Sequence, residues 1–304
     1  MTLEELYKEG TERLKSVGIE NPSVDAFYLL EHAAGLNRTR YLMFKDQDVT
    51  QMNIRQYMDL ISRRMERVPY QYIIGTAEFA GLTFEVNPNV LIPRLDTEVL
   101  FEHTLRKLGY RAYVLDLCTG SGALGIALKR YRPDIYMVMS DISDDALEVA
   151  ARNAVNNRLE IADKEGGSLE FGVKLIKSDL FDSMDPSEDM GDTDGKEPVG
   201  MFDVIVSNPP YVTEAEYETL MPEVKEHEPK LALTAGVDGL DIYRRIAADA
   251  PLFLKENGVL ALETGCSQAA AVSQLLGNNG FTDIEIIQDL AGLDRVIMCR
   301  KSGM

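Results

Sequence analysis

The sequence predicts an α/β protein in two domains: helical over residues 1–75, a β-hairpin linker over 76–98, and over 99–304 a mostly parallel sheet with helices on both faces. Three observations predict this. In the first domain apolar residues recur at helical spacing, most regularly at Ile54, Tyr57, Met58, Ile61 and Met65. From Phe79 to Val86 the pattern turns to alternation, with Leu82, Phe84 and Val86 on one face. Beyond Thr97 short apolar runs alternate with helical stretches, the order that a doubly wound sheet requires.

Taken in order, Thr2 followed by Glu5 is a capping-box signal that opens the first helix. Pro22 at a first-turn position opens the second, through Phe27, Leu30 and Ala34. The stripe from Ile54 to Met65 is a third helix, and its Met and Tyr side chains read as core rather than as a cofactor surface. Ala80-Gly81 marks the bend of the hairpin. The first strand of the sheet starts at Tyr113 and runs into Cys118-Thr119-Gly120-Ser121-Gly122, a small-residue loop followed by an apolar helix start. A second strand, Tyr136 to Ser140, ends in Asp141, and a third, Val173 to Lys177, ends in Ser178-Asp179-Leu180-Phe181. Residues 202–207 form a strand leading into Asn208-Pro209-Pro210-Tyr211. Asp283 to Gln288 and Arg295 to Cys299, joined across Leu-Ala-Gly-Leu, read as two final strands with a tight connection.

Composition narrows the function classes. A formal charge of −19 over 304 residues argues against a surface that tracks phosphate backbones, because such affinity comes from clustered Lys and Arg. Cys118, Cys266 and Cys299 are too far apart for a C-x-x-C pair, and their odd number suits reduced thiols. His32, His103 and His227 are equally scattered, so no metal is expected. The N-terminus lacks a basic flank and an apolar core, and no run approaches the length of a membrane span. The expectation is a soluble, cytoplasmic, monomeric protein with no membrane or direct nucleic-acid partner. An acidic stretch from Ser183 to Gly200 interrupts the sheet domain, with six carboxylates against Lys196, and reads as a solvated or disordered loop. Within it Asp192-Thr193-Asp194-Gly195 lacks the remaining spacing of a calcium loop.

The residues after the fourth strand are built to hold an NH2 group. Each proline lacks an N–H and has a fixed φ, so Asn208-Pro209-Pro210-Tyr211 is stiff and rich in acceptors. The Asn208 side-chain oxygen and the Pro209 carbonyl each suit one hydrogen of a planar amine, and Tyr211 offers a flat face. A primary amide fits, and so does an exocyclic base amine; a plain proline-rich strand end is the alternative reading. The glycines of the loop at 118–122 let backbone approach a ligand closely. Its spacing is not the G-x-G-x-x-G of a dinucleotide site. Asp141 lies 141 − 120 = 21 residues beyond Gly120, where a doubly wound fold presents an acid to ribose hydroxyls, and a nucleoside would extend to Asp179 and Leu180. Helix capping is the other role open to Asp141 and Asp179.

These pieces, together with Arg67-Val-Pro69-Tyr-Gln-Tyr72, Pro93-Arg94-Leu-Asp96-Thr97-Glu98, Glu228-Pro229, Asp238-Gly239-Leu240-Asp241, Glu263-Thr264-Gly265 and Gly292-Leu-Asp294-Arg295, resemble the HemK/PrmC family. That family comprises the release-factor glutamine N5-methyltransferases, which are class I S-adenosylmethionine-dependent methyltransferases. The resemblance spans nearly the whole chain. Two positions depart from it: Cys118 stands where the family usually has a glycine, and Leu95 where it usually has a proline. It implies a Rossmann-like, mostly parallel seven-stranded sheet with an antiparallel last strand, and a substrate-recognising helical domain.

The resemblance further implies that Cys118, Thr119, Gly120, Ser121, Gly122, Asp141, Asp179, Leu180 and Asn208 hold S-adenosylmethionine, which leaves as S-adenosylhomocysteine. Asn208, Pro209 and Tyr211 would be catalytic. Asn208 to Tyr211, including Pro210, would take the glutamine of a class 1 peptide chain release factor, with Arg94, Thr97 and Glu98 lining the site or serving only as a turn and helix start. Two other functions compete: an N6-adenine or N2-guanine nucleic-acid methyltransferase, which the scarcity of Lys and Arg near the site disfavours, and a non-catalytic S-adenosylmethionine-binding adaptor.

Overall fold

A computed structural model describes residues 1–162, 168–185 and 201–303; most of the acidic stretch, including Asp192 to Gly195, lies outside the described residues. The chain divides into two compact units, residues 1–76 with 221–227, and 77–220 with 228–304.

The first unit holds α1 (Leu3–Ser16), α2 (Pro22–Ala34), α3 (Arg38–Phe44), α4 (Gln51–Met65) and α5 (Tyr70–Ile74). The capping box forms as expected, with Thr2 Oγ1 accepting the Glu5 N–H and Glu5 accepting the Thr2 N–H. Leu6, Leu14, Leu29, Leu30, Tyr57 and Ile61 are wholly buried in its core. Gly10 is required in α1, because a Cβ there would lie 1.9 Å from the Tyr57 hydroxyl. A boundary at residue 75 misses one piece. Residues 221–227 join this unit because buried Arg64 donates to both Asp25 (2.7 Å) and Glu223 (3.0 Å), and Arg67 donates to Glu223 (3.1 Å).

The second unit opens with the hairpin β1 (Thr76–Phe79) and β2 (Leu82–Glu85). Its turn, Ala80-Gly81, has positive φ at both residues, the geometry that matches the twist of two-residue hairpins. Next come α6 (Thr97–Lys107), β3 (Tyr113–Leu117), α7 (Ala123–Tyr131), β4 (Tyr136–Asp141), α8 (Asp144–Asn156), β5 (Glu160–Ile161) and β6 (Gly172–Lys177). Then follow β7 (Phe202–Ser207), α9 (Glu214–Thr219), α10 (Pro222–His227, which belongs to the first unit), α11 (Asp241–Phe253), β8 (Leu254–Glu263), α12 (Ala269–Asn278), β9 (Phe281–Gln288) and β10 (Asp294–Lys301).

The sheet runs β5-β6-β4-β3-β7-β8-β10-β9. Among the described residues it has eight strands rather than seven, because two-residue β5 adds parallel pairing at the β6 edge. As expected the last strand is reversed, β10 being antiparallel to both β8 and β9. Alternation along the strands builds two cores. Val114, Val204, Val206 and Ala261 pack with α6, α7 and α8 on one face, and Leu115, Leu117, Ile205 and Leu262 pack with α11 and α12 on the other. Among the described residues, no helix is long and apolar enough to cross a membrane.

Candidate active site

Parallel register brings the carboxyl ends of four strands level. Leu117 pairs with Ser140 and with Ser207, and Asp141 pairs with Lys177. Connections leave β3 toward β4 on one side and the chain returns to β7 on the other, and such a reversal leaves a crevice beyond the strand ends. A cavity of about 300 Å³ opens there. Cys118, Thr119, Gly120 and Ser121 line it from the loop after β3, Asp141 from the end of β4, and Asp179 and Leu180 from beyond β6. Asn208 and Pro210 face it after β7, and Arg94 and Thr97 before and at the start of α6.

Two carboxylates, buried Asp116 and half-buried Asp141, hold the loop. Asp116 Oδ2 accepts the Thr119 hydroxyl at 2.6 Å and the Gly125 N–H at 2.9 Å, tying the loop to the first turn of α7. Gly125 allows that contact, since a Cβ would sit 2.9 Å from the same oxygen. Burial pushes the Asp116 carboxyl up to about 7. Asp141 grips the loop from the side, Oδ2 accepting Gly120 N–H at 2.8 Å and Oδ1 accepting Ser143 N–H at 3.0 Å; burial raises its pKa also. The helix cap itself is Ser143, whose hydroxyl accepts the Ala146 N–H. Fully buried Asn153 completes the support by donating to the Ser121 carbonyl at 2.9 Å. Cys118 and Gly120 both have positive φ, so Cys118 occupies a conformation that favours glycine. Gly122 is packing rather than lining: a Cβ there would meet Ile126 and Met139 at 2.8 Å. Asp179 is paired with Arg245 at 2.8 Å.

On the opposite side, Asn208 Nδ2 donates to the Thr97 hydroxyl oxygen at 3.1 Å. Among the described residues no bond reaches Asn208 Oδ1 or the Pro209 carbonyl. Buried Pro209 and half-buried Tyr211 do not line the cavity. Tyr211 donates its hydroxyl to Glu263 Oε1 at 3.3 Å, while its backbone is held by Leu233 and Gln268. Arg94 pairs at 2.5 Å with Glu228, whose carboxylate is almost wholly buried and also takes the Ile92 N–H. Glu98, expected to line the site, instead accepts the Ala80 N–H at 2.8 Å and fastens the hairpin. Asp116, Asn153, Arg245 and the carboxylates of Glu228 and Glu263 had no assigned role; a charge set inside an apolar strand run was the available signal for Asp116 and Glu263.

Residues 5–75 match the family model described as PrmC N-terminal domain, and residues 94–227 match Methyltransferase small domain. The release factor glutamine methyltransferase of Clostridium acetobutylicum is 37% identical over 299 residues, covering 96% of this chain and 98% of that protein. Those of Geobacter sulfurreducens and Neisseria gonorrhoeae are 39% and 40% identical, covering 93% and 91% of this chain and 91% and 93% of the relatives. A crystal structure of a methyltransferase from Pyrococcus furiosus shares the fold at a TM-score of 0.51 and 19% identity, over 80% of this chain and all of that one. With such identity sustained from the helical unit to the final strands, the chain belongs to the release factor glutamine methyltransferase family.

Proposed function

We infer that the chain transfers a methyl group from S-adenosylmethionine to the side-chain amide nitrogen of the glutamine in the Gly-Gly-Gln loop of a class 1 peptide chain release factor. The observation that carries this is the Asn208 amide, held by Thr97 with its oxygen left for a ligand beside a nucleoside-sized cavity.

The residues present fit the methyl donor. A Cβ built at Gly120 meets nothing within 4 Å, so the loop leaves open space where a ligand backs onto backbone, and Asp141 retains lone pairs beyond the two N–H groups it already accepts. The loop from Cys118 to Ser121, Asp141, Asp179 and Leu180 are the residues that would hold it. When bound, S-adenosylmethionine supplies an electrophilic methyl group on a sulfonium and leaves as S-adenosylhomocysteine.

The protein's part is orientation. A glutamine nitrogen is a weak nucleophile because its lone pair is delocalised into the carbonyl. Asn208 Oδ1 and the Pro209 carbonyl accept its two hydrogens, turning the nitrogen's face toward the donor and stabilising the positive charge that develops on it. The surplus proton leaves the nitrogen for water after transfer, so no strong base is required there. Arg94, fixed by Glu228, and Thr97 shape the substrate side. The helical unit is assigned to gripping the release factor.

The test incubates wild type and Asn208→Ala with S-adenosylmethionine and either a class 1 release factor or total nucleic acid, read by mass spectrometry. Methylglutamine on the factor is expected, and the variant should transfer about 100- to 1000-fold more slowly with donor binding little changed. Methylated adenine or guanine with an unmodified factor would refute the assignment.

A further inference from the structure

We propose that Glu263 is a positioning residue for this reaction: by accepting the hydrogen bond that the Thr97 hydroxyl donates, it leaves Thr97 Oγ1 only lone pairs to offer, which locks the Asn208 amide with its oxygen toward the substrate. The inference rests on methyl transfer to an amide nitrogen at this site.

The hydrogens available to Thr97 and Glu263 decide which way the Asn208 amide faces. Thr97 has a single hydroxyl hydrogen. Glu263 Oε2 lies 2.6 Å from Thr97 Oγ1, both side chains are buried, and an ionised carboxylate only accepts; the hydrogen therefore points at Glu263. Only lone pairs remain on Oγ1 to face Asn208 at 3.1 Å. The Asn208 end that meets them must be Nδ2, and Oδ1 turns the other way. An amide turned around would set Oδ1 against lone pairs in a buried site, a mismatch that burial makes costly. The same carboxylate receives the Tyr211 hydroxyl through its other oxygen, so both ends of the Asn208-Pro209-Pro210-Tyr211 turn are fastened to one group.

The groups that face Glu263 come from every element around it. Asp96 and Thr97 stand at the start of α6, Tyr211 follows β7, Tyr243 of α11 donates its hydroxyl to the Glu263 backbone carbonyl at 2.8 Å, and Arg295 of β10 is shared with Asp96 (3.2 Å) and Asp289 (3.3 Å). Burial and Asp96 raise the carboxyl; the Thr97 bond, Arg295 and Tyr211 oppose them, leaving it at about 7. Protonation reverses the relay. Glu263 then donates to Thr97 Oγ1, the Thr97 hydrogen turns to Asn208, and the amide presents NH2 where the substrate needs an acceptor.

The test combines rate and spectroscopy. With S-adenosylmethionine and release factor, Thr97→Val should lower kcat about 10- to 100-fold with KM within about twofold, and Thr97→Ser should restore it to within about threefold. Wild-type kcat should rise with pH through a midpoint near 7. Glu263→Gln should lack that step and stay at least about tenfold below the wild-type plateau, since Thr97 and Tyr211 donate to different carboxylate oxygens and the Gln side chain sets an NH2 against one of those hydroxyls. Independently of turnover, the Asn208 Nδ2 amide signals in 15N-correlated spectra should move with the same midpoint in wild type and stay fixed in Glu263→Gln. Full kcat in folded Thr97→Val, or amide signals insensitive to pH in wild type, would overturn the proposal. A wild-type protein that leaves the release factor unmodified yet shows the titrating amide would overturn the assigned reaction and leave the relay standing.

Discussion

Asp141 can be separated into a loop-holding part and a ligand-binding part by two substitutions. Its two oxygens accept different backbone N–H groups, Gly120 at 2.8 Å and Ser143 at 3.0 Å. Asp141→Asn keeps one acceptor oxygen, so one of the two N–H groups must face an NH2. Asp141→Ala loses both. A hydrogen bond to a charged group contributes about 1.5–3 kcal/mol net, and burial of the carboxylate, which raises its pKa, offsets part of that. Stability should therefore fall by about 1–2 kcal/mol in the Asn variant and about 2–4 kcal/mol in the Ala variant, read by urea denaturation. Affinity for S-adenosylmethionine, read by calorimetry, should fall by a further 1–3 kcal/mol in Asp141→Ala, or about 5- to 150-fold, from the lost acceptor for a ligand hydroxyl. Unchanged affinity in a folded Ala variant would refute the ligand-binding role and leave Asp141 as a brace between Gly120 and Ser143.

Asp116 predicts a pH effect on stability. Its folded pKa of about 7 exceeds its unfolded value, so the folded state binds more protons between about pH 4 and 7 and stability falls as pH rises through that window. Asp116→Asn keeps an oxygen for Thr119 and Gly125 and should gain on wild type by on the order of 3 kcal/mol between pH 5 and 8 in urea melts; a difference independent of pH would refute the shift. Cys118→Gly relieves a left-handed backbone costing about 1–2 kcal/mol and gives back about 0.5–1 in unfolded-chain freedom, so a stabilisation of up to about 1 kcal/mol is expected; a loss of more than that contradicts it. Arg64→Met strands the buried Asp25 carboxylate and should destabilise the helical unit by about 3–5 kcal/mol, whereas a loss under about 1 would show the network to be idle.

What the sequence made legible is what local chemistry decides. Thr2 and Glu5 satisfy each other within one turn, and Ala80-Gly81 bends a hairpin on its own dihedrals. The ends of β3, β4 and β7 were legible because in each an apolar run gives way within three residues to Gly, Asp or Pro. The rest depends on distant partners. Helices of seven and five residues, α3 and α5, are too short to show a period, and β5 pairs through only two residues. Residues 221–227 join the helical unit through Glu223, whose partners Arg64 and Arg67 precede it by 159 and 156 residues.

The carboxylates that organise the site were hidden for a reason that also shows how to find their like. Asp116 interrupts Val114-Leu115 and Leu117, and Glu263 closes the run from Val259 to Leu262, so both read as ordinary strand positions. An isolated carboxylate in an apolar strand is costly to bury, and it persists only where donors converge on it. Here the hydrogen-bond donors are the loop beside the cavity for Asp116, and Thr97 with Tyr211 for Glu263. Both carboxylates lie at the carboxyl ends of parallel strands flanking the crevice, where side chains meet loops from neighbouring strands rather than more sheet. A charge inside an apolar run, within a residue or two of a parallel strand's carboxyl end, therefore marks a group that fixes the loops around a site, and the loops it fixes identify which part of the chemistry it serves.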